Sequence, residues 1–88
     1  MLHRTVTVGS ASGLHARPAA IFSKAASAAG VPLVIGKPGS DPVDATSLLS
    51  VMTLGVGRGD QVVLASPDEA AGEVLDRLAD LLATDLDA

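Results

Sequence analysis

In the segment GLHARPAA, residues 13–20, an imidazole and a guanidinium stand two residues apart, at His15 and Arg17, where an alanine-rich helix begins. The apolar pattern has no use for either group there. A helix start leaves its first amides without intrahelical partners and carries partial positive charge, so it is a ready anion site. A phosphoryl group placed on a nitrogen of His15 would meet the amides of Ala16 and Arg17. Arg17 would add a charged fork for the phosphate oxygens. The neutral imidazole is a covalent nucleophile. The bland alternative is a histidine exposed near a helix end, and the physical argument alone leaves both readings open. The other histidine, His3, lies on a strand and is expected to face solvent. Two separated histidines make a poor metal site, and no metal or cofactor is expected.

A second group of residues is chemically odd. SLLSVMTL, residues 47–54, is too apolar for a short helix that buries one face. Val51 and Leu54 can point inward with Ser47. Leu48, Leu49 and Met52 then fall on another face, as an exposed apolar patch would if a partner docked there. Methionine adapts to several partners. The alternative is a helix wedged into the core. On the first helix Arg17, Ala20 and Lys24 lie opposite the apolar stripe. Ala20 leaves flat room beside His15, and Lys24 reads equally well as a solvated surface residue.

These groups need elements to hold them. LHRTVTV, residues 2–8, alternates as a half-buried strand. GSASG, 9–13, is a loop of small residues. Leu14, Pro18, Ile21, Phe22, Ala25 and Ala28 or Ala29 mark the core face of a helix that Gly30 ends. Pro18 suits its first turn. VPLVIG, the turn KPGSD and PVDA predict a hairpin over 31–45. Residues 46–55 form the short helix and 61–65 a strand. Residues 66–83 form the clearest helix, with Ser66 and Glu69 as a capping box around Pro67. Its core stripe is Ala71, Val74, Leu75, Leu78, Leu81 and Leu82, and its wet face Asp68, Glu73, Asp76, Arg77 and Asp80. The tail TDLDA is expected to fray.

The order β-α-β-β-α-β-α predicts a two-layer α+β fold in one domain, residues 1–88. Composition narrows the function. Cysteine is absent, so disulfides and thiolate metal sites are excluded. One aromatic residue, Phe22, and a net charge of −4 argue against nucleic-acid binding. No segment reads as a signal peptide or membrane span, so a cytoplasmic location without membrane insertion is expected. No acid precedes Asp41, whereas Arg4, Arg17, Lys24 and Lys37 all do. The half carrying His15 is locally positive and favours phosphate or an acidic partner.

GLHARPAA resembles the active-site signature of the HPr family, histidine-containing phosphocarriers of the bacterial phosphoenolpyruvate:sugar phosphotransferase system. SLLSVMTLGVGRGD, residues 47–60, is similar to that family's second signature. The likeness runs over essentially the whole chain. It implies an open-faced β-sandwich: a four-stranded antiparallel sheet, order 1-4-2-3, with three helices on one face. It implies that His15 takes phosphate on Nδ1 from phosphorylated enzyme I and passes it to enzyme IIA domains of sugar permeases. By the same resemblance Arg17 assists the phosphoryl group. Ser12, Ala16, Ala20, Lys24, Leu48, Leu49, Met52 and Thr53 would meet the partners, and the chain would act as a monomeric carrier, not an enzyme.

Ser47 matches a serine that a regulatory kinase phosphorylates in some members. Those members carry a basic residue where Thr46 stands, which counts against such regulation here and favours a capping hydroxyl. Ser50 replaces a lysine found in many relatives, leaving a more apolar docking face. The other classes weighed are an HPr-like regulatory adaptor of the nitrogen-branch type and an unrelated α+β ligand-binding or acyl-phosphatase-like domain. Against the last, no second catalytic group accompanies His15.

Overall fold

In the computed structural model, which describes residues 1–87, the alternation of the first segment becomes β1, Leu2–Thr7. Leu2, Arg4 and Val6 turn toward the core, while His3, Thr5 and Thr7 stay exposed. β1 pairs antiparallel with β4, Gln61–Ser66, in a register that sets His3 opposite Ala65 and Val6 opposite Val62. β4 pairs on its other edge with β2, Val34–Gly36, and β2 pairs with the two-residue β3, Val43–Asp44. All pairings are antiparallel and the strand order is β1-β4-β2-β3. The expected hairpin over 31–45 is therefore present. Its paired length is shorter than expected, because Val31–Leu33 and Pro42 fall outside the ladder.

Three helices cover one face: α1, Ala16–Ala28; α2, Leu48–Met52; and α3, Gly72–Ala83. Val62 and Leu64 of β4 and Ile35 of β2 are fully buried beneath them, together with Phe22, Val51, Leu75 and Leu82. On the opposite face Ala65 is buried only because it is small and lies between His3 and Val34 on the flanking strands. Arg4 ties β1 to α3, its Nε donating to Asp76 at 2.6 Å. Among the described residues no helix is long and apolar enough to cross a membrane.

Three expectations are corrected. The fully buried residues of α1 are Pro18, Ala19, Phe22, Ser23 and Ala26, so the stripe is shifted; Ala25 and Ala29 pack partly buried against the core as expected, and Ala28 is the exposed one of the pair. Leu14 precedes the helix, so its spacing to Pro18 is not helical and does not set the phase of the stripe. The capping box at Ser66 does not form. Ser66 stays in β4, opposite Leu2, and its Oγ accepts from the Asp68 amide at 3.2 Å. Asp68 Oδ1 in turn accepts from Ala70 N at 2.9 Å, a turn that delays the helix to Gly72. Glu69 accepts instead from the Met1 ammonium at 3.1 Å, and Asp68 is half-buried rather than on a wet face. Third, the tail does not fray through residues 84–87 but lies against the loop before His15.

Candidate phosphoryl-accepting site

His15 is the N-cap of α1, with extended backbone (φ −125°, ψ 157°) and no side-chain capping bond. Its ring is therefore free of the helix, and the residue is exposed along with Ala16 and Arg17. Ala16 has a positive φ of 48°, the sole such non-glycine residue among those described. For alanine this left-handed conformation costs about 1–2 kcal/mol, and such strain gathers where backbone groups are aimed at a ligand. Among the described residues the amides of Ala16 and Arg17 donate to no backbone acceptor. Pro18, buried in the first turn, has no amide to leave unpaired. His15, the open amides of Ala16 and Arg17 and the exposed Arg17 side chain thus follow one another at the mouth of α1.

The loop carrying His15 is fixed by backbone. Val8 N donates to Asp60 O, Gly59 N to Val8 O, Gly9 N to Leu82 O and Leu14 N to Val56 O, all at 2.9–3.0 Å. Two glycines permit this closeness. A Cβ at Gly9 would run into the Ala83 carbonyl, and one at Gly13, where φ is 70°, into that of Val56. The small-residue loop thus has a structural reason: the backbone of two other segments packs against it.

α2 packs beside α1. Its Ser47 N-cap accepts from the Ser50 amide at 3.3 Å, so the capping reading of Ser47 matches the geometry. Val51 is fully buried, and Leu54 and Ser47 are half-buried, as the inward face required. Leu48 is 41% exposed and Leu49 75% exposed. The apolar helix is therefore not wedged wholly into the core. Met52 is half-buried against the core, while Thr53, Ala20, Lys24 and Ser12 are exposed.

The sequence reading missed the tail. Ser10, itself buried, donates through Oγ to Thr84 O at 3.2 Å and accepts from Leu86 N at 2.9 Å. Ala11 N donates to Asp85 Oδ1 at 3.2 Å. Ser12 donates through both N and Oγ to Asp87 Oδ2, each at 2.8 Å. The backbone bond and then the hydroxyl bond from Ser12 hold the Asp87 carboxyl below its ordinary range, and the charge of Arg17 adds to them. No local signal in the sequence announces these contacts, because they join residues more than seventy positions apart.

This geometry agrees with comparisons to known proteins. The family model described as "PTS HPr component phosphorylation site" matches residues 2–84, so Asp85 and Asp87 lie past the matched segment. The phosphocarrier protein HPr of Streptomyces coelicolor is 52% identical over 87 residues, covering 99% of this chain and 94% of that protein. The phosphocarrier protein HPr of Haloferax volcanii is 40% identical, covering 94% of each chain. A crystal structure of HPr from Thermoanaerobacter tengcongensis superposes with a TM-score of 0.88 at 32% identity, covering 100% of this chain and 98% of that one. An open-faced sheet under three helices, a histidine at a helix start and likeness along nearly the whole length converge on one conclusion: the chain belongs to the HPr family of phosphocarriers of the phosphotransferase system.

Proposed function

We propose that His15 is the residue that carries the phosphoryl group, taking it on Nδ1 from phosphorylated enzyme I and surrendering it to enzyme IIA domains. The observation that supports this most directly is an exposed ring at the mouth of α1 beside two amides with no backbone acceptor among the described residues. In the acceptance step the nitrogen lone pair attacks phosphorus and the bond to the donor breaks. The amides of Ala16 and Arg17 and the Arg17 fork face the phosphoryl oxygens, where negative charge is greatest. Delivery reverses the same events on a second protein. The exposed Leu48 and Leu49, with Met52, Thr53, Ala20, Lys24 and Ser12, supply a common docking face. On this reading the chain is a monomeric cytoplasmic carrier, consumed and regenerated by its partners rather than turning over substrate alone.

Incubation with enzyme I and phosphoenolpyruvate, followed by mass mapping, tests the proposal. One acid-labile, base-stable phosphoryl group is expected on His15, and none on His15→Ala. Phosphate on another residue, or acceptance by the variant, overturns the assignment.

A further inference from the structure

Four residues after α3 contact the loop that leads to His15, and every contact but that from Leu86 N to Ser10 Oγ runs from a loop donor to a tail acceptor. The loop supplies donors and a hydroxyl, and the tail supplies carboxylates and backbone. Ser10 clasps the tail backbone at Thr84 and Leu86. Asp85 accepts from Ala11 N and, at 3.0 Å, from Asp87 N, which orients the second carboxylate. Asp87 then takes both donors of Ser12 on a single oxygen. An anion thus already occupies donors three residues from His15, and the Arg17 charge acts on it. Ser12, Asp85, Asp87 and Arg17 are all exposed, so each contact is individually weak and reversible. The loop itself is pinned by backbone hydrogen bonds that do not involve the tail carboxylates. The tail can therefore leave without unseating His15.

Resting on the reading of His15 as phosphoryl carrier, we propose that residues 84–87 form an acidic latch on the acceptor loop, closed while His15 is bare and released when it is loaded. A phosphoryl group brings nearly two negative charges. It draws on the Arg17 charge that otherwise favours the Asp87 carboxylate, and it repels both tail carboxylates. A docking donor meets the same obstacle before transfer, because Ser12 lies under Asp87. The latch therefore slows acceptance by the empty carrier, and its opening marks the loaded one. Asp85 and Asp87 lie just past residues 2–84, which the family model matches.

Amide hydrogen exchange and acceptance kinetics on the full chain test this together. In Asp87→Asn the Ser12 amide is expected to exchange about tenfold faster than in wild type, as loss of one charge-assisted hydrogen bond implies. In phosphorylated wild type it is expected to reach the rate of the variant. Asp85→Asn with Asp87→Asn is expected to raise the second-order rate of phosphorylation by enzyme I several-fold. Equal Ser12 exchange in bare and loaded wild type, or double-variant acceptance no faster than wild type, overturns the latch. A wild-type chain that takes no phosphoryl group from enzyme I overturns the carrier reading instead. The latch contact is then still judged by Ser12 exchange in bare wild type against Asp87→Asn.

Discussion

Arg17 is exposed and, among the described residues, engaged in no ion pair, so its guanidinium is available to phosphate oxygens. Arg17→Ala should slow phosphoryl acceptance by roughly tenfold, the scale of one charge-assisted hydrogen bond, and leave the urea midpoint unchanged. A wild-type rate in single-turnover kinetics would remove Arg17 from the transfer step. Ala16 offers a test of the strained turn. Glycine accepts its positive φ without steric cost but loses more chain entropy, about 0.5–1 kcal/mol. Against a strain of about 1–2 kcal/mol, Ala16→Gly should stabilise the fold by up to about 1 kcal/mol in urea unfolding. A destabilised variant would show that the conformation carries no strain. His15 and Arg17 were legible because their meaning is local: two chemical groups beside a helix start. The positive φ of Ala16 was not, because nothing about an alanine announces it.

At the scale of elements, α2 is short enough that its cap matters. Ser47→Ala removes the oxygen that accepts from Ser50 N and should cost about 1 kcal/mol of stability, measured by chemical unfolding. Leu48→Glu places a carboxylate on the exposed apolar face of the same helix. It should weaken binding to enzyme I tenfold or more while the far-ultraviolet circular dichroism stays unchanged. Unaltered affinity in calorimetry would move the docking face elsewhere. α1 was readable because Pro18 and Gly30 bracket it, and Gly30 does adopt the left-handed φ of 73° expected just past a helix end. The start of α3 was misread for a physical reason. Ser66 and Glu69 satisfy the spacing of a capping box, but pairing with Leu2 holds Ser66 in the sheet, a partner that local spacing does not reveal.

Over the whole molecule, two carboxyls link folding to acid. Asp44 accepts from the hydroxyl and then the amide of Thr46, at 2.7 and 2.9 Å, and these bonds lower its pKa. Asp87 is lowered by Ser12 and, less, by Arg17. A carboxyl depressed on folding contributes stability that is present above its unfolded value, about 3.9, and is lost as pH falls through the folded value. Asp44→Asn with Asp87→Asn should therefore flatten the fall in stability below about pH 4. An acid limb as steep as that of wild type would refute the linkage. The fold itself follows from strand alternation and helix stripes. The tail could not be read from its own sequence, because Ser12 and Asp87 are brought together only by the assembled sheet and helices. Tail residues were expected to lose order, and two carboxylates and a buried serine hold them instead.

Gly9 and Gly13 meet carbonyl groups, not side chains, where they touch the rest of the protein. The seat of the imidazole is consequently indifferent to what neighbouring side chains become. Ala11 could drift through many identities while the ring kept its place, whereas a single methyl group at position 9 or 13 would displace it.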